Sequence, residues 1–450
     1  MVEMVLKRLT IEDWNQFDKI QFDFHPRVTI ITGANGAGKS SVLRLIARQL
    51  GWGYEEVASV FLKKNKSIFL AGIDFDKITE FTRENKELKK VLYDMQSNSE
   101  KWIDTIQANN IVMGELEVEK GIFKFYVPEE VHSASYNIEA RFQYLNEEKE
   151  FKPYDVDGII KGVNISSHRQ PYSYVRVDEI PLHVDDTNSI YRQYLSSIQN
   201  RTLNNSRYFG NDESPVKYMK KSLISLAIFG EGNALVEPNE ELKEKFYGFT
   251  NILKSILPKH IGLNKITIEA GEVVLKTDSG DFLIDAVSGG LGALIDLAWQ
   301  VFMYDNADDE YTIIIDEIEN HLHPSMQREI LPNLLNAFPK AQFIVSTHSP
   351  FVVNSVKDSY VYALKYNDNN RVESLKLDFF NKSTDAFDVL KNVLGVPVTM
   401  PLWLENELDS ILSNFSTKKL ELDSYNQLKL YLSNKGLEEY LPEMLKRFEV

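Results

Sequence analysis

The sequence predicts an α/β fold in which a mixed sheet is flanked by helices. Residues 28–32 form a short β-branched run that leads directly into a glycine-rich loop, and apolar positions within 40–47 then recur at helical spacing. Two further apolar runs, 311–316 and 342–346, are separated by a helical pattern over 324–338. Strands buried on both faces have continuous apolar runs of this kind, and the strand-helix-strand spacing indicates parallel pairing with a right-handed crossover.

Apolar patterns elsewhere in the chain predict further elements around this core. These elements are strands over 4–10 and 19–24, a hairpin within 111–131 centred on Lys120-Gly121, helices over 75–106, 216–230 and 239–257, and a mostly helical tail after Tyr366. No internal repeat is visible, and the heptad phase within 75–106 fails at Asn85 and Ser99, which argues against a long coiled-coil arm.

Composition narrows the class of protein. The 450 residues are 43% hydrophobic and 26% charged, which is typical of a globular chain of roughly three lobes. The chain has no cysteine, so disulfides, thiolate zinc sites and a cysteine nucleophile are excluded, and a reducing compartment fits. The charged N-terminus and the lack of a long apolar run predict a soluble, cytoplasmic protein without a membrane partner.

The net charge bears on nucleic-acid binding. Fifty Lys and Arg residues against 66 Asp and Glu residues give a formal charge of −16. An acidic surface repels the phosphate backbone at long range, which disfavours coating of nucleic acid. A local basic groove stays open as an alternative.

The glycine-rich loop matches a phosphate-binding motif. Residues 33–40, GANGAGKS, fit G-x-x-x-x-G-K-[ST] and lie between a predicted strand and a predicted helix, as that motif requires. Backbone N–H groups and the helix N-terminus bind phosphates, Lys39 reaches the β- and γ-phosphates, and the Ser40 hydroxyl ligates Mg²⁺. The nucleotide-binding residues predicted here are Gly33, Asn35, Gly36, Ala37, Gly38, Lys39, Ser40 and Ser41.

Polar side chains follow each of the two later apolar strands. Asp316 and Glu317 come at the end of the first, where Asp316 would hold Mg²⁺ through water and Glu317 would orient and deprotonate an attacking water. His348 follows the second strand, where it could hydrogen-bond a γ-phosphate. Taken alone, both patterns are usually structural, but their order after a phosphate-binding loop favours a catalytic site.

A second glycine-rich segment precedes an apolar helix. Ser288, Gly289 and Gly290 lie at its predicted start, where backbone N–H groups form a second phosphate-binding surface. Because one phosphate group needs only one such surface, the second is useful if it faces a nucleotide held by another protomer. The alternative is a plain glycine-rich N-cap.

These motifs, in this order, resemble the ABC-type P-loop ATPase heads of the SMC, RecF and OLD-like groups. Residues 319–324, ENHLHP, together with residues 346–350, STHSP, are similar to the OLD-like branch in particular. The resemblance implies ATP and Mg²⁺ as cofactors, hydrolysis, and a homo-oligomer at least as large as a head-to-head dimer. Val287 and Leu291 replace the Leu and Gln of the usual LSGGQ sequence. Gln170 resembles the family's second Mg²⁺ contact, although Gln107 and Gln143 are alternatives.

The resemblance also implies a domain organisation. The predicted segments are the N-terminal half of the head with the P-loop (1–54), a helical insertion (55–110), a β-rich part of the head (111–184), a second helical insertion (185–262), the C-terminal half of the head (263–366) and a helical C-terminal region (367–450).

The sequence of residues 367–450 predicts that this region is not a nuclease domain. OLD-like proteins carry a TOPRIM nuclease marked by Asp-x-Asp, and residues 367–450 contain no such motif and are too few for that domain. The chain is therefore similar to ATPase subunits of two-gene anti-phage systems such as PARIS. That resemblance implies a separate TOPRIM nuclease as effector and a phage protein as trigger. The alternatives are a RecF- or SMC-like DNA-repair ATPase, a transporter subunit and a scaffold that binds ATP without hydrolysing it.

Overall fold

The structure is a computed structural model that describes residues 5–52, 56–57, 110–128, 135–136, 138–145, 149–151, 160–167, 169, 172–179, 193–198, 214–305, 310–377 and 422–434. The predicted helix over 75–106, and with it most of the 55–110 insertion, lies outside the described residues. Gln107 and Gln170 also lie outside them.

The described strands and helices follow in chain order. The strands are β1 (Leu6–Trp14), β2 (Phe17–Asp23), β3 (Val28–Gly33), β4 (Glu56–Val57), β5 (Asn110–Val118), β6 (Gly121–Pro128), β7 (Ser135–Tyr136), β8 (Glu139–Tyr144), β9 (Glu150–Phe151), β10 (Gly162–Ile165), β11 (Leu263–Glu269), β12 (Glu272–Thr277), β13 (Gly280–Leu283), β14 (Tyr311–Ile315), β15 (Ala341–Ser346), β16 (Tyr360–Tyr366) and β17 (Val372–Lys376). The helices are α1 (Lys39–Ala47), α2 (Pro215–Glu231), α3 (Glu240–Ile256), α4 (Gly289–Tyr304), α5 (Pro324–Ala337), α6 (Pro350–Val353) and α7 (Leu422–Asn434).

Twelve strands form one mixed sheet, in the order β10-β14-β15-β3-β16-β17-β2-β1-β5-β6-β8-β9. The strands from β10 to β16 pair in parallel, and β3, β14 and β15 are buried at every position, as their apolar runs predict. Because the carboxyl ends of parallel strands meet at one edge, the residues that follow β3, β14 and β15 lie close together.

The other half of the sheet is mainly antiparallel. Strands β5 and β6 form the predicted hairpin, with Val118 opposite Gly121 around the Lys120-Gly121 turn. Strand β1 pairs with both β2 and β5, and β8 extends the sheet from β6 to β9. Strands β11, β12 and β13 form a separate antiparallel sheet.

The sheet separates two apolar cores. On β14, Ile313 and Ile315 face one core, to which α2, α3, α4 and α5 contribute, whereas Ile314 faces the other core with α1 and the antiparallel strands. This alternation follows from the two-residue period of a strand. Each face of the parallel strands is therefore covered, and the mixed sheet with flanking helices that the sequence predicts is confirmed.

The structure differs from the prediction in the residues that follow Tyr366. The sequence predicts mostly helix after Tyr366, but Val372–Lys376 forms β17 and pairs antiparallel with β16. The Asn367 side chain accepts hydrogen bonds from the backbone N–H groups of Asn369 and Arg371, and Asn370 adopts a positive φ of 56°. An asparagine-closed turn of this kind favours a hairpin.

Residues 1–389 form one compact unit, and most of residues 390–450 form a second. Of the second unit the structure describes α7, on which Leu428 and Leu432 are buried one helical turn apart. None of the helices in the described part of the chain is both long and apolar enough to cross a bilayer.

A buried ion cluster joins α2 to the segment before α4. The Lys220 side chain is fully buried, and its Nζ lies 2.6 Å from Glu272 Oε2, 2.7 Å from Asp285 Oδ2 and 2.7 Å from the Val175 carbonyl oxygen. The three N–H bonds of the ammonium therefore have three acceptors. Asp285 also accepts the Val175 N–H, which fixes the chain three residues before Ser288.

We expect Lys220→Met to lower the free energy of unfolding by about 3–5 kcal/mol, because it leaves a buried carboxylate without its partner. Lys245→Met is the matched control, since Lys245 forms an exposed pair with Glu241 one turn earlier on α3. That variant should cost no more than about 0.5 kcal/mol. Urea unfolding compares the two, and equal losses would contradict the importance of the buried cluster.

Candidate functional site

The loop between β3 and α1 is shaped by its glycines. Gly33 and Gly38 have φ values of 144° and 92°. A Cβ on Gly33 would lie 2.5 Å from the Leu364 carbonyl oxygen of β16, and a Cβ on Gly38 would collide with the Phe17 ring. A side chain at Gly33 would displace the backbone of β16 and one at Gly38 would displace the Phe17 ring, and both φ values favour glycine.

Lys39 opens α1 and turns back into the loop. Its side chain is almost wholly buried, and Nζ donates to the carbonyl oxygens of Gly33 (3.0 Å) and Ala34 (3.1 Å). Burial lowers the pKa of Lys39, and the nearby carboxylates Asp316, Glu317 and Glu319 oppose that shift. The loop thus encloses a cation that faces acidic groups.

The remaining loop residues lie around this lysine. Asn35 and Gly36 are exposed and Ala37 is buried, whereas Ser40 and Ser41 are half-buried in the first turn of α1. The Gly36 carbonyl oxygen accepts hydrogen bonds from Gln16 Nε2 (3.1 Å) and the Tyr366 hydroxyl (3.2 Å). Helix α1 therefore begins at an accessible loop, where its free N–H groups can bind an anion.

Ser346, the last residue of β15, contacts both acidic residues that follow β14. Its hydroxyl donates to Asp316 Oδ1 and accepts the Glu317 N–H at 2.8 Å. Glu317 has a φ of 47°, and its Oε2 accepts a 2.7 Å hydrogen bond from Asn320 Nδ2. These contacts fix a left-handed backbone that is unusual for a residue other than glycine.

His348 lies between the buried lysine and Glu317. Its Nδ1 is 3.5 Å from Lys39 Nζ, and its Nε2 is 4.0 Å from Glu317 Oε1. Burial lowers the pKa of His348, with Lys39 as the next cause. Because an ammonium can only donate, Nδ1 is the acceptor, and the neutral ring carries its proton on Nε2, toward Glu317.

Glu319 joins the two strand ends. Its carboxylate accepts hydrogen bonds from the His348 N–H and from Thr347 Oγ1 (2.7 Å). Ser346, Glu319 and Asn320 were not among the predicted site residues. The register could have indicated Ser346, because β14 and β15 run in parallel and Ser346 directly follows Val345, the partner of Ile315.

The second glycine-rich segment forms the start of α4. Ser288 is the N-cap residue, but its side chain makes no capping hydrogen bond, and both Ser288 and Gly289 are exposed. A Cβ on Gly289 would meet no atom within 4 Å, whereas one on Gly290 would lie 2.7 Å from the His321 carbonyl oxygen. The exposed N-terminus of α4 therefore packs against the segment that follows Glu317. We call residues 288–290 the serine-glycine tip.

The donor set fits a nucleoside triphosphate with Mg²⁺. The anion would be held by the loop N–H groups and Lys39, and the metal by the oxygens of Ser40 and Asp316, which are ligands that Mg²⁺ prefers. Within the described ranges, no group of three or more His, Asp and Glu side chains could hold an ion unaided.

Several known proteins are similar to this chain. A Septu protein PtuA from Bacillus thuringiensis is 19% identical over 447 residues, which cover 95% of this chain and 94% of that protein. A second Septu protein PtuA, from Bacillus mycoides, is 28% identical over 182 residues, but these cover only 20% of its length. The Retron Vc95 probable ATPase of Vibrio cholerae is 22% identical over 79% of this chain and 72% of its own length.

Among solved structures, an SMC head domain from Thermotoga maritima covers 83% of this chain and 100% of its own, at 14% identity and a TM-score of 0.38. An Smc head domain bound to the C-terminal domain of ScpA, derived from Pyrococcus furiosus, covers 86% and 99% at 15% identity and a TM-score of 0.40. The family model described as AAA ATPase domain matches residues 4–353, which is most of the chain. The match includes the phosphate-binding loop, the serine-glycine tip and both strand ends, and the chain belongs to the AAA ATPase domain family.

Proposed function

We propose that this protein is a Mg²⁺-dependent ATPase whose heads associate when they bind ATP, and that this association controls a separate effector protein. One observation carries the proposal. The same chain has two glycine-rich helix N-termini that suit an anion, the loop around the buried Lys39 and the exposed serine-glycine tip, in which the Ser288 side chain makes no capping hydrogen bond. A second surface of this kind suits the nucleotide of a neighbouring copy.

The roles of the site residues follow from their positions. Lys39 and the loop N–H groups would bind the phosphates, and His348 would donate a hydrogen bond from Nε2 to the γ-phosphate. Glu317 would orient a water and accept its proton, because its half-buried carboxylate lies next to the His348 ring. Bound Mg²⁺ would neutralise charge that develops on the phosphates. Asp316 and Ser40 are its proposed ligands. Gln170, which lies outside the described residues, is a further one that the family resemblance implies.

ATP binding and hydrolysis would then act as a switch. With ATP, the serine-glycine tip of one head would cover the nucleotide of the other, and hydrolysis by Glu317 would loosen the pair. The proposed effector is a TOPRIM nuclease held by the ATPase until a phage protein triggers its release. The similarity to a Septu protein and a retron ATPase supports a defence role of this kind.

The test is nucleotide-dependent association. We expect light scattering to show a monomer-to-dimer increase in mass on addition of a non-hydrolysable ATP analogue with Mg²⁺, and Ser288→Arg to abolish it by placing a bulky side chain at the tip. Ser255→Arg is the control, because Ser255 is an exposed serine near the end of α3. Binding of a fluorescent ATP analogue should persist in both variants.

Two outcomes would contradict the proposal. Wild-type protein that stays monomeric at saturating analogue would rule out association driven by ATP. Association that survives in Ser288→Arg but is lost in Ser255→Arg would place the interface on another surface.

A further inference from the structure

Arg169 is a buried arginine to which the sequence analysis assigns no role. Its guanidinium donates to three successive backbone carbonyls, from Nη1 to Ile318 O and from Nη2 to Asp316 O and Glu317 O, each at 3.3 Å. The residue is 7% exposed. It lies four residues beyond the end of β10, the edge strand that pairs with β14.

These three carbonyls belong to the segment that carries both site carboxylates. Glu317 has the left-handed backbone described above. A second contact, which also comes from the segment after β10, supports its carboxylate. Asn320 Nδ2 donates both to Ser167 O at 3.1 Å and to Glu317 Oε2 at 2.7 Å. The chain after β10 therefore fixes both the backbone and the carboxylate of Glu317.

Burial lowers the pKa of Arg169, and the nearby carboxylates of Asp296, Glu319, Asp316 and Glu317 oppose that shift. Asp296 lies on α4 and is half-buried, and its two oxygens accept hydrogen bonds from the Tyr194 hydroxyl and from Gln300 Nε2 (2.9 Å). Burial raises the pKa of Asp296, while these two donors and Arg169 oppose that shift and favour the carboxylate.

Helix α4 begins at the serine-glycine tip, and Asp296 lies two turns further along it.

We propose that Arg169 is a positioning residue that sets the Glu317 carboxylate for hydrolysis. This inference rests on the proposed role of Glu317. Arg169 acts through the main-chain carbonyls of the segment that carries this carboxylate.

The positioning role requires the forked geometry of the Arg169 guanidinium. Its planar N–H groups reach three carbonyls at once, whereas a lysine ammonium is a single point on a flexible stem. Lysine keeps the positive charge beside Asp296 but loses the fixed geometry. The conservative change therefore separates charge from positioning.

We expect Arg169→Lys to lower kcat for ATP hydrolysis by about 10-fold or more, because small misplacement of a catalytic group has large kinetic effects. The affinity for a fluorescent ATP analogue should stay within about 2-fold, since the phosphate-binding loop is untouched. Arg27→Lys is the matched control. Arg27 also donates only to backbone carbonyls, those of Leu335, Phe338, Pro339 and Ala341, at the amino end of β15. It should lower the melting temperature and leave kcat unchanged.

A double variant distinguishes positioning from a general loss of structure. In a Glu317→Gln background, Arg169→Lys should have no further effect on the residual single-turnover rate, because the group that it positions is already absent. Asn320→Ala provides a second variant if Arg169→Lys fails to fold, because it removes the other contact that holds the Glu317 carboxylate. It should lower kcat with unchanged nucleotide affinity.

The possible failures are distinct. An unchanged kcat in Arg169→Lys, or an equal fold-loss in the wild-type and Glu317→Gln backgrounds, would overturn the positioning role. A Glu317→Gln variant that hydrolyses ATP at the wild-type rate would instead overturn the proposed function of Glu317.

Discussion

Replacing Glu317 with glutamine is expected to lower the rate of ATP hydrolysis by about 100-fold or more, because a positioned general base contributes roughly 10²–10⁴-fold. Glutamine has nearly the same shape but cannot accept a proton from water. The hydrogen bond from the Glu317 N–H to Ser346 Oγ is independent of the side chain, and a glutamine oxygen can still accept from Asn320. The fold and ATP binding should therefore be retained.

The same variant tests the switch. With hydrolysis blocked, ATP itself should hold the heads together, so light scattering should show a dimer with ATP and Mg²⁺ that persists for hours. Wild-type protein should form it only transiently. Glu329→Gln, a change on the exposed face of α5, is the control for loss of one negative charge. Turnover in Glu317→Gln equal to that of this control, or no ATP-dependent dimer, would contradict the assigned role.

The parallel core and the groups at its edge follow from local patterns. The predicted strand over 28–32, helix over 40–47 and strand over 342–346 agree with β3, α1 and β15 to within one residue at each end. A buried strand, a glycine loop and an amphipathic helix each have a signal within about ten residues, and parallel pairing then brings the carboxyl ends together. Hence His348 and Glu317 could be placed near each other without coordinates.

The contacts that support the site have no such local signal. Arg169 contacts Asp316 across 147 positions of sequence, and the sequence around it suggested only the neighbouring Gln170. Lys220 lies on an amphipathic helix, where a lysine is ordinarily solvated, and only the approach of Glu272 and Asp285 makes its burial possible. In both cases tertiary packing determines the contact, because it brings together segments that are far apart in the sequence.

Lys39→Met is expected to weaken ATP binding by about 100-fold or more, because charge-assisted hydrogen bonds contribute roughly 1.5–3 kcal/mol each. The structure places the ammonium inside the loop, where burial makes its interaction with a phosphate stronger than at an exposed site. Methionine fills a similar volume and leaves the glycine geometry in place. The expected loss is therefore one of affinity rather than of folding.

Stability should change in the opposite sense from that of the Lys220 variant. Lys39 Nζ has two backbone carbonyls as hydrogen-bond acceptors, and burial disfavours its charged form. Removing that charge relieves a desolvation cost, so the melting temperature of Lys39→Met should equal or exceed that of wild type. Calorimetric titration with ATP and a thermal melt measure the two effects on one sample. Retained affinity would place the nucleotide elsewhere, whereas lost affinity with a lowered melting temperature would assign Lys39 to the fold instead of to the phosphates.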